Sequence, residues 1–316
     1  MKAVLTAIAG NGAVTLAKFT GFLISGSSAL LAEAVHSLAD TANQCLLYLG
    51  LRRSQRLADT EHQFGYGQER YFWNLISAVT IFFLGCAYTI LHAVEQLHDE
   101  HVPEMGWIPF AIIGFSLLVE GYSWLVALME IRRQAAEANR PLRKYVLETR
   151  DPTTLAVLIE DSAAVLGLLL AFAGILLTAT TGSAVFDGVA AIFIGILMGV
   201  LAWFLAATNR KFLLNRTDDE VNEVAMRLWE ADEQVQKVQR VNSIVLSPTD
   251  TLLMAELELR EEAMFADMSE EEIAHAIRFM HKLDAIRREL EGDVSRIAPE
   301  ARHIFIEFTV PQEGDA

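Results

Sequence analysis

The stretch Glu33-Ala-Val-His-Ser-Leu-Ala-Asp-Thr-Ala-Asn43 lies in the middle of an otherwise apolar run. Read as a helix, it sets His36 and Asp40 four residues apart, on one face and one turn from each other. Glu33 and Asn43 continue that stripe. Ionisable side chains inside an apolar segment of membrane-crossing length are strongly disfavoured, so their presence points to a functional site. A second interruption comes at Leu158-Ile-Glu160-Asp161-Ser162, inside another long apolar stretch. An imidazole and carboxylates drawn from two such helices are the donor types that hold a divalent metal. A bound dication would also neutralise the buried carboxylates.

Working outward, the chain has 316 residues, 53% of them hydrophobic, and a mean hydropathy of +0.30. That is too apolar for an ordinary soluble protein. The charge is uneven. Residues 1–216 hold 15 Lys and Arg against 17 Asp and Glu, whereas residues 217–316 hold 10 against 24, so the last third carries nearly all of the net −16. The asymmetry predicts a membrane part followed by an acidic domain, and it argues against nucleic acid as a partner. Cys45 and Cys86 both fall in apolar segments without a CxxC pattern, as expected of reduced packing residues.

A span needs about 20 mostly apolar residues. Six segments qualify, near Ala3–Ser25, Ala29–Leu51, Phe72–Leu97, Trp107–Ile131, Pro152–Thr178 and Val185–Ala207. The first follows Lys2 directly and reads as a span rather than a cleaved signal, since no Ala-x-Ala site closes it. The first, third and fifth connections contain no Lys or Arg. The second and fourth carry Arg52, Arg53, Arg56 and Arg70, then Arg132, Arg133, Arg140, Arg143, Lys144 and Arg150. By the positive-inside rule both termini and the acidic domain are cytoplasmic. The expected division is a transmembrane domain over residues 1–210 and a cytoplasmic domain over 211–316.

In the acidic part, Thr217-Asp-Asp-Glu220 and Ser269-Glu-Glu-Glu272 are capping-box patterns opening helices. Val238–Leu246 and Leu252–Leu259 read as strands around the turn Ser247-Pro-Thr-Asp250, and His303–Val310 alternates as a final strand. The order αββαβ suggests a small ferredoxin-like α+β domain.

Other embedded charges carry blander expectations. Lys18 is near enough to a helix end to snorkel, Glu120 could line the pathway or hydrogen-bond a neighbour and is read as the latter, and Asp187 is read as a helix-start carboxylate. Glu160 and Asp161 are adjacent and point about 100° apart on a helix. Asp161 is the stronger ligand candidate; Glu160 could be a fourth ligand, a proton acceptor or a partner of another helix. No HExxH, Walker A or Gly-x-Ser-x-Gly pattern is visible, so an enzyme is not expected.

These residues resemble the cation diffusion facilitator family over nearly the whole chain. The resemblance is carried by Ser25-Gly-Ser-Ser-Ala-Leu-Leu-Ala-Glu-Ala-Val-His-Ser-Leu-Ala-Asp40, His62-Gln-Phe-Gly-Tyr-Gly67, Asp161 and Phe186-Asp-Gly188. It implies a homodimer in the lipid bilayer, with six spans and a cytoplasmic ferredoxin-like domain, exporting a divalent metal in exchange for protons. The metal is substrate rather than cofactor. The family pattern matches His36 and Asp40 in the second span and Asp161 in the fifth. Its fifth-span histidine falls at Val157 here, which makes Glu160 the candidate replacement. A Glu-Asp pair in that span is similar to zinc exporters of the mitochondrial type and their bacterial relatives, so zinc is the foremost substrate. With all basic loops on one side, a bacterial inner membrane is the expected location, and an organelle inner membrane would leave the same mark. The alternatives are export of manganese, iron or cobalt, or a non-transporting membrane sensor or scaffold. The loop histidine pair that some members use for metal is broken by Tyr66, and Ile304-Phe-Ile-Glu-Phe308 offers no matching histidine in the acidic domain.

Overall fold

The computed structural model describes residues 2–98, 106–137, 141–142, 145, 152–260, 265, 268–301 and 304–308, with the side chains of 2–10 and 152–157 left aside. Helices dominate: α1 (Lys2–Ser25), α2 (Ser28–Ser54), α3 (Glu69–Leu97), α4 (Trp107–Glu137), α5 (Pro152–Thr181) and α6 (Val185–Leu213). The third is continuous but passes through a π-helical segment, Ile81–Ala87. Helices α3, α4, α6 and the Leu158–Thr181 part of α5 are long and apolar enough to cross a membrane. Helix α2, at 27 residues, has comparable length. It is interrupted by Glu33, His36, Asp40, Asn43 and Gln44 along its middle.

Helix ends follow local chemistry. Gly26, with φ of 69°, takes the left-handed conformation that turns the chain after α1. Ser27 then caps α2, its Oγ accepting the Leu30 N–H at 3.1 Å. Gly182 (φ 70°) makes the equivalent turn between α5 and α6.

Helix α2 is central and packs against α1, α3, α5 and α6. One buried cluster joins Ala29, Leu30 and Ala32 of α2 to Leu168, Ala171 and Ile175 of α5 and Ala191 and Ile194 of α6. Small residues let these helices approach closely, which is what packs helices where lipid removes the hydrophobic driving force. At Gly174 a Cβ would lie 2.5 Å from Ala190 Cβ, so the α5–α6 crossing requires a glycine there. Cys45 and Cys86 are both free; Cys86 is half-buried while Cys45 is exposed and not the packing residue expected.

The chain divides into two compact units, Met1–Asp218 with Ser243–Leu252, and Asp219–Asn242 with Leu253–Ala316. In the first, Tyr71 stacks on Phe212 with ring centroids 4.5 Å apart and 7° between planes, and Val245 completes that buried group.

The second unit contains α7 (Asp219–Glu230), the outer parts of β1 (Val235–Ser247) and β2 (Asp250–Leu259), and α8 (Glu270–Ile297). The strands are longer than their apolar alternation suggested and meet at the Pro248-Thr249 turn. Ser269 opens α8 with the expected capping box to Glu272. At the other box α7 begins at Asp219, one residue later than a Thr217 cap predicts. Among the described residues the sheet has two strands. Ile304–Phe308 has no strand pairing, and His303, Thr309 and Val310, the rest of the expected third strand, lie outside the described residues.

Candidate functional site

Helical spacing brings His36 and Asp40 together as expected. Nε2 of His36 lies 3.4 Å from Asp40 Oδ2. The imidazole is buried, and neither ring nitrogen makes a hydrogen bond to a described residue. A buried imidazole without a hydrogen bond is an unusual state for so polar a group.

Helix α5 supplies the other two candidates. Asn43 on α2 donates from Nδ2 to Glu160 Oε1 at 3.4 Å, and Ser77 on α3 donates to Asn43 Oδ1 at 2.6 Å. Glu160 thus sits at the end of a short polar chain, within electrostatic range of both Asp40 and Asp161. Asp161 turns toward α4, where Ser123 Oγ donates to its Oδ2 at 2.8 Å. The two carboxylates diverge, as adjacent helical positions require. Among the described residues no three His, Cys, Asp or Glu side chains converge closely enough to hold a metal ion. His36 and Asp40 form one contact, and Glu160 and Asp161 stand on the facing helix, each hydrogen-bonded to a neutral side chain, Asn43 and Ser123 respectively.

Lys18 departs from expectation. Instead of snorkelling to a helix end it is fully buried, and its ammonium reaches Glu33 Oε2 at 2.9 Å, Ser37 Oγ at 2.8 Å and Glu120 Oε1 at 2.8 Å. A lysine ammonium has three protons and is stable in an apolar interior only when they are satisfied. Two carboxylates and a hydroxyl on neighbouring helices supply what the membrane surface would otherwise provide. Glu33 is thereby turned to Lys18 rather than to the His36 stripe, and Glu120 is the hydrogen-bonding neighbour anticipated for it.

Asp187 is a helix-start carboxylate for two helices. It lies in the first turn of α6, and it also accepts from Ser27 Oγ at 2.5 Å and the Ser28 N–H at 2.5 Å. Its carboxyl group therefore sits at the N-terminus of α2, where unpaired N–H groups and the helix dipole favour a carboxylate.

The loop before α3 is held by side chains. Tyr66 donates to Asp59 Oδ2 at 2.6 Å, lies 4.2 Å from His62 by ring centroids, and has Arg56 4.1 Å over its face. The Tyr66 hydroxyl beside Asp59 holds that carboxyl below its usual range.

Sequence reasoning did not find the partners of these groups. Ser123 carries no pattern of its own, and the Lys18–Glu120 and Ser27–Asp187 contacts join positions more than 100 residues apart.

Residues 4–214 match a family model described as the cation efflux transmembrane domain. The chain is 38% identical to metal tolerance protein C4 of Arabidopsis thaliana, covering 81% of this chain and 56% of the relative. It is 33% identical to the mitochondrial proton-coupled zinc antiporter SLC30A9 of Homo sapiens, covering 97% of this chain and 58% of the relative. Magnetosome protein MamM of Magnetospirillum gryphiswaldense is 32% identical over 39% of this chain and 37% of its own length. The chain thus spans a little more than half the length of the first two relatives.

Proposed function

The chain belongs to the cation efflux family, and from that premise we propose that it is a secondary active transporter that moves a divalent transition metal, zinc foremost, out of the cytoplasm in exchange for protons. It is a multi-pass integral membrane protein. In the proposed arrangement α1 to α6 are six spans, both termini are cytoplasmic, and residues 211–316 form a cytoplasmic ferredoxin-like domain through which two copies pair in a bacterial inner membrane. The observation that carries the reading is the placement of His36 and Asp40 on α2 opposite Glu160 and Asp161 on α5 within a bundle of apolar helices.

Metal binds neutral imidazole and ionised carboxylate, so protons and metal compete for the same atoms. In the proposed cycle the helices rock about the α2–α5 pair, exposing it to one side and then the other. Closure of α5 on α2 brings Asp161 away from Ser123 and Glu160 toward His36 and Asp40, assembling four ligands around the ion. On the outer side a higher proton activity returns the side chains to their metal-free pairs. The SLC30A9 relative is named as a proton-coupled zinc antiporter, which supports both the ion and the exchange.

The test is zinc flux into proteoliposomes carrying a pH gradient, with manganese in parallel, for wild type and Asp161→Ala. Flux that requires the gradient and is lost with Asp161 supports the proposal. Flux indifferent to the gradient removes the proton coupling, and preferential manganese flux moves the substrate. No flux in folded, inserted protein sinks the transporter reading in favour of a sensor or scaffold.

A further inference from the structure

Lys18, Glu33 and Glu120 meet where α1, α2 and α4 converge, and the cluster is unbalanced. The three ammonium hydrogens of Lys18 are all used, on Glu33 Oε2, Glu120 Oε1 and Ser37 Oγ. Each carboxyl group has one oxygen left. Glu33 Oε1 and Glu120 Oε2 are both buried without a hydrogen-bond partner among the described residues, and Glu33 is wholly enclosed, its Oε1 facing Gly167 of α5. One cation against two carboxylates leaves an excess negative charge in an apolar interior, with two bare oxygens to carry it. Such a charge is strongly disfavoured there unless it is neutralised. A single proton on either free oxygen makes the cluster neutral.

We propose that Lys18, Glu33 and Glu120 form a proton-binding site, separate from the metal ligands, that carries a proton exchanged for the metal. This rests on the transporter reading above. Among the described residues neither carboxyl group is hydrogen-bonded to His36, Asp40, Glu160 or Asp161. The Glu120 side chain is 18% exposed while that of Glu33 is 0%, and the proposed route for the proton is therefore through Glu120.

The site is close enough to the metal ligands to feel them. Ser37, which holds the third Lys18 hydrogen, follows His36 directly. His36 acts electrostatically on Glu120, and Lys18 and Glu33 act on Asp40. The charged groups facing the cluster are therefore Lys18 from α1, and Glu33, His36 and Asp40 from α2. On α5, Asp161 is tied to Ser123, one turn along α4 from Glu120. A dication arriving among His36, Asp40, Glu160 and Asp161 repels the proton. The Glu120 O–H bond breaks, the proton passes to water and the electron pair stays on the carboxylate, so charge balances without any redox partner. By linkage the proton weakens metal binding by the factor with which metal weakens proton binding.

The experiment uses the full chain in three forms, wild type, Glu120→Gln and Glu120→Asp. Zinc binding and proton release are measured in detergent, and zinc flux in proteoliposomes. Glu120→Gln keeps a carbonyl acceptor for Lys18 but cannot hold the proton. It is expected to bind zinc with unchanged stoichiometry, to release about one proton fewer per zinc, and to lose the dependence of flux on the pH gradient. Glu120→Asp is expected to restore both. Unchanged proton release in Glu120→Gln overturns the proposal. Should Glu120→Gln fail to fold, the infrared carbonyl band of a protonated carboxyl group in wild type decides: zinc is expected to bleach it, and a spectrum without a zinc-sensitive band overturns the site. Absence of both zinc and manganese flux in wild type defeats the transporter reading instead, and is separable from the infrared result.

Discussion

Ser28 and Asp187, 159 residues apart in sequence, are joined by a 2.5 Å hydrogen bond from the Ser28 backbone N–H to Asp187 Oδ2. The helix bearing His36 and Asp40 therefore starts on a carboxylate fixed to α6. Asp187→Ala leaves the Ser27 hydroxyl and the Ser28 N–H without that acceptor. Hydrogen bonds to a charged group are worth about 1.5–3 kcal/mol, and a loss of that order is expected in thermal unfolding of the detergent-solubilised protein. Zinc stoichiometry of the folded fraction should not change, because Asp187 is a positioning residue for α2. An unaltered melting temperature would show that the α2 N-terminus is held by Ser27 alone.

A second consequence concerns Gly167. Replacing glycine by alanine within a helix ordinarily gains roughly 0.5–1 kcal/mol. Here the added Cβ would run into Glu33 Oε1, whose carboxyl group is pinned by Lys18 at 2.9 Å and cannot swing aside without leaving an ammonium hydrogen unpaired. Gly167→Ala is expected to lower the melting temperature and to reduce metal flux. A rise in stability would mean that Glu33 has another rotamer to occupy.

What the sequence made legible, and what it hid, divides by range. Helical periodicity sees four residues, and it placed His36 beside Asp40. It also found the Ser269–Glu272 capping box. It read Lys18 as a snorkelling cation because, on α1 alone, a nearby helix end is the cheapest way to satisfy an ammonium. Glu120, 102 positions away, offers a cheaper one, and nothing local announces it. The π-helical segment Ile81–Ala87 is equally silent. Its residues are ordinary apolar ones, and Gly85 lies where a Cβ would strike the Met198 side chain, so its setting belongs to the α3–α6 contact. Alternation in Ile304–Phe308 has the period of a strand, yet period alone supplies no partner to pair with.

The loop before α3 gives a pH prediction with a definite sign. Hydrogen bonding from the Tyr66 hydroxyl, then from the His62 backbone N–H, holds the Asp59 carboxyl below its ordinary value, and the same bond raises the Tyr66 hydroxyl. A carboxyl group whose folded value is depressed contributes stability that is present above its unfolded value and lost as pH falls through the folded one. The loop contact should therefore persist through neutral and mildly alkaline pH and fail only in acid. Hydrogen exchange of a peptide spanning residues 57–66, compared at matched pH between wild type and Tyr66→Phe, reads this directly. Wild type should be the more protected near neutrality, and the difference should vanish as Asp59 protonates. Equal exchange at neutral pH would show that the Arg56 and His62 stacking on Tyr66 holds the loop unaided.

The last prediction separates a ligand from the residue that aims it. Glu160 is oriented by Asn43, which is itself held by Ser77 at 2.6 Å. If Glu160 occupies the place of the histidine missing at Val157, Glu160→Gln removes a charged oxygen donor and should abolish measurable zinc binding. Asn43→Ala removes only the group that positions it. Losing such a supporting partner typically costs about 10–100-fold in metal affinity, so Asn43→Ala is expected to bind zinc weakly, with stoichiometry intact, and Ser77→Ala to weaken it less. Isothermal titration of zinc into the purified variants distinguishes the cases. Full affinity in Glu160→Gln would place the fourth ligand elsewhere and make Glu160 a partner of α2 through Asn43, while full affinity in Asn43→Ala would show that Glu160 finds its ligating position without help.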